Sequence, residues 1–121
     1  MVDLTIADGK LLVNVRGVDK ILSFKSSLEI PVEHIIGIRS DPAIAKEWWK
    51  GWRFPGTGIP GVITAGTYYK DGQRVFWDVH NPDKAVVINL RDETFDRLVV
   101  ETEDPQIAIS LVRNVIANAN R

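Results

Sequence analysis

The pattern of apolar and polar positions near the start of the chain is that of two β-strands joined by a tight turn. Asp8 and Gly9 lie between two short apolar runs. This pair is typical of a two-residue hairpin turn, because both turn positions require a positive φ angle. In the second run Leu11, Val13 and Val15 alternate along the strand and so share one face. The pattern therefore predicts an N-terminal hairpin that buries one face.

Further apolar or alternating runs, bounded by turn residues, predict the other strands. Their predicted ranges are 27–30, 35–39, 62–69, 74–79, 85–90 and 97–102. Asp71-Gly72 predicts a second hairpin turn, and the composition of Asn81–Lys84 predicts a type I turn. The strand that carries Trp77 has one apolar face and one mixed face in this pattern.

Three segments predict turns or helices rather than strands. Pro31–His34 predicts one helical turn, since proline suits its first position. Asp41 and Pro42 predict the N-cap and the first residue of a short helix over 41–48. Residues 18–24 have helical spacing but are also short enough for a strand, and we interpret them as an irregular turn that leads into the strand at 27–30.

The C-terminal part of the chain has the periodicity of an amphipathic helix. Its apolar residues recur at spacings of three and four: Ala108, Leu111, Val112, Val115, Ile116 and Ala119. Asp104 is the predicted N-cap and Pro105 the first helical residue. The predicted helix spans about 105–119.

Together these elements predict a mainly β fold with one C-terminal helix. About seven short strands, mostly joined by hairpins, would form a small closed or split barrel, and closure removes exposed strand edges. The helix has the length to cover one open end of such a barrel. The 121 residues then form a single domain, with strands at about 3–40 and 62–102 and an insertion at about 41–61.

Composition and charge narrow the function classes. Fifteen Lys and Arg oppose sixteen Asp and Glu, a formal net charge of −1, which disfavours nucleic acid as the main partner. The absence of cysteine excludes disulfides, zinc-thiolate sites and thiol nucleophiles. The first residues do not have the pattern of a signal peptide, and no apolar run approaches the roughly 18 residues of a membrane span. We therefore expect a cytoplasmic protein without a transmembrane segment.

The most unusual segment follows the predicted short helix and is rich in tryptophan, glycine and proline. Six of its residues are candidate contact residues for a ligand or partner: Trp48, Trp49, Lys50, Trp52, Arg53 and Phe54. Aromatic side chains beside positive charges suit a protein partner, an anionic lipid surface or single-stranded nucleic acid. The alternative is a structural role, in which one or two indoles close the second open end of the barrel. The sequence leaves both interpretations open.

Few residues suggest catalysis or metal binding. Asp78 and His80 would point to the same face of a strand end, so a dyad or a metal site there is one hypothesis. No third ligand has suitable spacing, and His34 and His80 are more simply explained as surface histidines. Acidic pairs such as Glu101 and Glu103 are expected to be solvated. We therefore expect no enzyme activity, no metal and no cofactor.

Several segments together resemble a bacterial pleckstrin-homology-like (PH-like) domain. They are residues 28–35 (LEIPVEHI), 66–72 (GTYYKDG), 85–90 (AVVINL) and the helix start at 103–105 (EDP). The resemblance covers residues 9–117 and implies a small split barrel that is capped by the helix. The insertion at 41–61 departs from the minimal pattern of the family.

The resemblance does not by itself decide the function, since PH-like folds host phosphoinositide binding, peptide binding and self-assembly. Lipid-binding members carry a basic motif in the first hairpin. That motif is incomplete here, because Asn14 stands between Lys10 and Arg16 where the family has a basic residue. Clustered positive charge for an inositol phosphate is therefore scarce in this part of the chain.

The function expected from these observations is that of a non-catalytic module that binds a protein partner or associates with itself, chiefly through Trp48–Phe54. One alternative is a small-ligand or anionic lipid-headgroup binder, which would use Lys50, Arg53 and the loop at Gly56–Gly61. A further alternative is an enzyme that uses Asp78 and His80.

Overall fold

The computed structural model describes residues 1–16, 27–43, 65–70 and 72–119, and of residues 65–70 it describes the backbone. Eight strands are present in these ranges: β1 (Val2–Ala7), β2 (Lys10–Val15), β3 (Ser27–Pro31), β4 (Ile35–Ser40), β5 (Ala65–Lys70), β6 (Gln73–Asp78), β7 (Ala85–Leu90) and β8 (Arg97–Glu101). A 3-10 turn precedes β4 and another precedes β7, and helix α1 (Pro105–Ala119) follows β8. The fold is therefore mainly β with a C-terminal helix, as the sequence predicts.

The predicted turns are confirmed where the structure describes them. The Asp8-Gly9 turn joins β1 to β2, and its two residues have φ angles of 53° and 73°. The turn predicted at Pro31–His34 is a 3-10 turn over 32–34. The turn predicted at Asn81–Lys84 is a 3-10 turn as well, and the Asn81 side chain accepts a hydrogen bond from the backbone N–H of Asp83.

β1, β2 and β3 form an antiparallel three-stranded sheet in chain order. On β2 the side chains of Leu11, Val13 and Val15 are buried, whereas Asn14 is exposed and Leu12 is half-buried. The alternation seen in the sequence therefore corresponds to one buried face, as predicted.

The other five strands form a second sheet in the order β4-β7-β8-β6-β5. β8 lies between β6 and β7, antiparallel to β7 and parallel to β6. Residues 79–84 connect β6 to β7, and these two strands are not neighbours in the sheet. After β7 the chain turns back, and β8 pairs with both of them, between β6 and β7. This sheet therefore depends on a long-range parallel pair, which a series of hairpins does not predict.

The main hydrophobic core lies between the two sheets and α1. Its buried members are Val2, Leu11, Val13, Val15, Ile30, Ile35, Ile38, Phe76, Val86, Ile88, Leu90, Phe95, Leu98, Val100, Ile109 and Val112. The rings of Phe76 and Phe95 pack edge to face with centroids 5.6 Å apart. Residues from both sheets and the helix thus share one core.

The opposite face of the five-stranded sheet is buried too. Its apolar side chains are at most 1% exposed: Val75, Trp77, Val79, Ala85, Val87 and Val99. The predicted mixed face of the strand that carries Trp77 is also buried, since Phe76 and Asp78 are inaccessible to solvent. Strands that are buried on both faces carry continuous apolar runs, as β7 does, so alternation alone does not predict them.

Helix α1 begins where the sequence predicts. The carboxylate of Asp104 accepts the backbone N–H of Ile107 at 3.2 Å, which is the hydrogen bond of an N-cap residue. The helix buries Ile109 and Val112 and packs mainly against β4. Near its middle, an Nη of Arg113 donates to the carbonyl oxygen of Ile38 at 3.1 Å. The helix is therefore joined to an outer strand by packing and by a hydrogen bond.

The prediction of a closed barrel is wrong for the described strands. β1 and β3 are the outer strands of one sheet, and β4 and β5 are the outer strands of the other. The helix accordingly packs beside β4 and over the core rather than into a barrel end. Strand order depends on long-range pairing, which local turn residues do not specify.

Some predicted elements lie outside the described residues. They are the segment at 18–24, the short helix beyond Ala43, the strand positions before Ala65 and Asp71 of the second hairpin turn. The hairpin itself is confirmed, because Lys70 pairs with Gln73 and Gly72 has a φ angle of 78°.

Candidate functional site

The six candidate contact residues of the tryptophan segment lie outside the described residues: Trp48, Trp49, Lys50, Trp52, Arg53 and Phe54. The loop at Gly56–Gly61 lies outside them as well. The structure describes both ends of the connection that carries these residues. Ser40 ends β4 and Ala65 begins β5, and these strands are the opposite edges of the five-stranded sheet.

The two ends of this connection lie at the same end of the sheet. A single row of paired residues runs across the five strands: Ser40, Val86, Val100, Asp78 and Ala65. Four spacings of about 4.8 Å place Ser40 and Ala65 about 19 Å apart. The tryptophan segment therefore belongs to a connection that joins two opposite edges of one sheet.

Asp78 and His80 occupy different environments. Asp78 is fully buried at the end of β6, and its Oδ2 accepts a hydrogen bond from the amino group of Met1 at 2.9 Å. His80 follows the strand and is exposed. The carboxylate of the hypothetical dyad thus lies in the interior, whereas the imidazole lies at the surface.

Glu101 is the clearest departure from what the sequence suggests. Its side chain is buried, and Oε1 accepts the backbone N–H groups of His80 at 2.8 Å and of Asn81 at 3.0 Å. The expectation of a solvated carboxylate is wrong for Glu101, although Glu103 is exposed. A buried carboxylate needs such donors, so Glu101 fixes the connection between β6 and β7.

His34 pairs with a carboxylate instead of standing alone at the surface. Its Nδ1 is hydrogen-bonded to Oε2 of Glu93. The backbone N–H of Arg91 donates to the carbonyl of His34, and the side-chain Nε of Arg91 donates to the carbonyl of Glu33, both at 2.9 Å. These contacts tie the turn before β4 to the loop after β7, so the half-buried His34 has a structural role in the described fold.

The basic residues of the first hairpin are engaged with acids. Arg16 is bonded to the carboxylate of Asp3 and lies 3.6 Å from Glu103, and Lys10 lies 4.0 Å from Glu29. The hydrogen bond from Arg16 lowers the pKa of Asp3 and correspondingly raises that of the Arg16 guanidinium. These pairs agree with the absence of a complete phosphoinositide motif in this hairpin.

A second basic group lies on the face of the five-stranded sheet that is opposite the main core. Asn89 on β7 is paired with Arg97 on β8 and with Gly37 on β4, and Arg39 is two residues farther along β4. Cross-strand partners point to the same face, as do residues two apart on a strand. Gly37, Arg39, Asn89 and Arg97 therefore share one face over three neighbouring strands, beside Val87 in the buried apolar patch.

The guanidinium of Arg97 lies in an unusual environment. Partial burial lowers its pKa, the like charge of Arg39 lowers it further, and Asp41 opposes this effect. Its Nε donates to Oδ1 of Asn89 at 3.1 Å. Arg39, whose side chain is 42% exposed, approaches Asp41 with Nε at 3.4 Å. The Arg97 guanidinium therefore lies within electrostatic reach of both Arg39 and Asp41.

The described residues contain no group of three or more histidine or acidic side chains arranged to hold a metal ion. In the same part of the chain, none of the helices has both the length and the apolar character to span a bilayer.

Arg39, Asn89 and Arg97 do not stand out in the sequence as site residues, and Glu101 stands out only as an acid that is expected to be solvated. The signal for Arg97 is weak but present: a charged residue opens an apolar strand, directly after a turn. Its partner Asn89 similarly interrupts the apolar run of β7. Polar residues within buried strands usually have hydrogen-bond partners, so these interruptions point to a pair across the sheet. Which strands are neighbours cannot be deduced from either run alone.

Comparisons with models of protein families, with curated proteins and with solved structures find no match to this chain.

Proposed function

We propose that this chain is a non-catalytic, PH-like interaction module that binds a protein partner or a second copy of itself through Trp48–Phe54. The order of elements supports the PH-like part of the proposal: strands in two sheets are followed by one amphipathic helix. A split barrel is the form of that fold with which two separate sheets agree.

The observation that carries the proposed contact is the placement of the tryptophan segment between two edge strands. Four aromatic residues occur within seven positions, together with Lys50 and Arg53. Large aromatic side chains and arginine are enriched at the centres of protein interfaces. A segment held at both ends by one sheet loses less conformational entropy on binding than a free tail, which favours an interface there.

The main competing role for these indoles was to close the second end of a barrel. The described strands form two sheets with separate outer strands, so they offer no barrel end of that kind. The barrel-end form of the structural role therefore has no support among the described strands.

The test is the measured mass of the protein in solution, together with partner capture. Wild-type protein is analysed by size-exclusion chromatography with light scattering over a wide concentration range, and its partners are sought by pull-down. We expect a mass above the 13.6 kDa of one chain, or a specifically retained partner. Trp52→Asp is expected to weaken either interaction at least tenfold, as loss of an interface aromatic does, and Trp49→Ala to weaken it less.

The matched control is Ile107→Asp, which removes an apolar side chain that is 65% exposed on α1. Circular dichroism establishes that each variant is folded. A monomeric wild type that retains no partner would contradict the proposal, and so would equal effects of Trp52→Asp and Ile107→Asp.

A further inference from the structure

We propose that Arg39, Asn89 and Arg97 form a binding site for a phosphate group on the face of the five-stranded sheet that is opposite the main core, at the border of its buried apolar patch. This inference goes beyond the proposed protein contact and does not depend on it. The ligand class is a phosphate-bearing small molecule, either free or as the headgroup of a lipid.

The register of the sheet brings the three side chains together. Asn89 on the middle strand is paired directly with Arg97 on one side. On its other side it is paired with Gly37, and Arg39 follows two residues later on the same face. The site is thus built on three hydrogen-bonded strands, which hold side chains more precisely than a loop does.

Gly37 leaves room for a ligand between these side chains. Among the described residues, a Cβ atom built at Gly37 would meet no heavy atom within 4 Å. The neighbouring positions on this face carry longer side chains, those of Arg39 along the strand and Asn89 across it. Gly37 therefore adds no side chain to this face between Arg39 and Asn89.

The donors are available and oriented. Arg97 uses Nε on Asn89, and Arg39 turns Nε towards Asp41. Among the described residues, neither arginine has a hydrogen-bond partner for its Nη groups. Because Oδ1 of Asn89 accepts from Arg97, its amide nitrogen is left to donate in another direction. Two guanidinium groups and an amide can together surround a tetrahedral oxyanion.

The electrostatics favour an anion. Arg97 is partly withdrawn from water without a carboxylate hydrogen-bonded to it among the described residues, and the nearby charge of Arg39 adds repulsion. A bound phosphate would relieve both effects. Asp41 reduces the positive charge but does not cancel it, since two arginines oppose one acid. Two arginines form stronger charge-assisted hydrogen bonds with a phosphate dianion than with a singly charged carboxylate ligand.

The experiment is a titration of isotope-labelled full-length protein with inorganic phosphate at constant ionic strength, followed by NMR. We expect saturable shifts of the Arg97 Nε–H and Asn89 amide signals, with a dissociation constant of about 1 mM or below. Acetate at the same ionic strength should produce much smaller shifts. Absence of saturation by phosphate, or equal shifts with acetate, would overturn the proposal.

Three variants locate the site. Arg97→Gln should weaken phosphate binding at least tenfold, whereas Arg16→Gln, which removes an arginine already paired with acids, should leave it unchanged. Gly37→Leu places a side chain between Arg39 and Asn89 and should abolish binding, while the amide spectrum should still be that of a folded protein. Wild-type affinity in either Arg97→Gln or Gly37→Leu would overturn the proposal even if phosphate binds elsewhere.

The source of the phosphate is decided by two arms of one experiment. In the first arm, the protein is floated with vesicles of a neutral lipid to which a phosphoinositide has been added. In the second arm, the protein is titrated with the soluble inositol phosphate that corresponds to the headgroup. Retention on vesicles that is lost in Arg97→Gln supports the lipid source, and binding of the soluble compound without retention supports the free one. Binding in both arms that Arg97→Gln leaves unchanged would overturn the proposal.

Discussion

The two sheets of this protein differ in how many of their faces are buried. The three-stranded sheet covers the core with one face and presents the other face to solvent, so its central strand alternates strictly. In the five-stranded sheet, the central strands β6, β7 and β8 are buried on both faces over most of their length. Polar groups in this second sheet must therefore find partners inside the protein.

This difference decides where chemistry can occur. On the three-stranded sheet, charged residues such as Arg16 and Asp3 pair at the exposed surface, where ion pairs contribute little to stability. On the five-stranded sheet, Glu101 organises a connection and Arg97 stands at the border of an apolar patch. Glu101 and Arg97 therefore differ from the surface pairs of the first sheet, because each is partly or fully withdrawn from water.

The largest expected effect compares the two sheets on the faces that are opposite the main core. Trp77→Ala empties a fully buried position on the second sheet and should lower the free energy of unfolding by about 3–5 kcal/mol. Leu12→Ala acts on the half-buried outward face of the first sheet and should cost less than about 1 kcal/mol. Urea denaturation followed by circular dichroism measures both. Similar losses of unfolding free energy in the two variants would contradict the stated difference in burial between the two sheets.

The next effect concerns the buried carboxylate. Glu101→Ala removes the acceptor of two backbone N–H groups and should cost about 2–3 kcal/mol, because buried donors are left without a partner. Glu101→Gln keeps one oxygen acceptor and should cost less. Glu103→Ala, at an exposed position, is the control and should stay within about 0.5 kcal/mol of wild type. The same denaturation assay applies, and equal losses at positions 101 and 103 would refute this role.

A smaller effect distinguishes two glycines with equally open surroundings. Gly9 has a φ angle of 73°, so Gly9→Ala should cost about 1–2 kcal/mol from backbone strain alone. Gly37 is not among the positive-φ glycines, and no described residue would contact an added Cβ atom, so Gly37→Ala should be neutral or slightly stabilising. Thermal unfolding of the two variants compares them. A loss for Gly37→Ala as large as that for Gly9→Ala would contradict this explanation.

The smallest effect is the pH dependence of the Asp3–Arg16 pair. The pKa of Asp3 is lowered in the folded state by the hydrogen bond from Arg16. Its contribution to stability is therefore present above the unfolded pKa of about 3.9 and is lost as the pH falls through the lower folded value. The melting temperature of Asp3→Asn should lie slightly below that of wild type at pH 6, and the difference should disappear near pH 2. A difference that grows on acidification would contradict this assignment.

Much of the local structure was predictable from the sequence. The hairpin at Asp8-Gly9, the strand at Ala85–Leu90 and the helix start at Asp104 depend on short-range requirements: positive φ angles, an apolar run and an N-cap acceptor. Each requirement is met by residues that are close in the chain. That is why these elements are observed at or near their predicted positions.

The candidate site was much less predictable. The sequence analysis singled out the tryptophan segment from its local composition, and the proposed contact there stays a prediction. Arg39, Asn89 and Arg97 are separated by up to 58 positions in the chain, and each is unremarkable where it stands. Only the order of β4, β7 and β8 makes them neighbours.

The sequence by itself thus determined the mainly β class, the positions of the described turns and the amphipathic C-terminal helix, because backbone geometry and periodicity are local properties. The tertiary structure decided that β8 lies between β6 and β7, that the strands form two sheets in place of a closed barrel, and that Glu101 is buried. These features depend on long-range pairing and on burial from both sides of a sheet. Neither is encoded in the spacing of residues within a single strand.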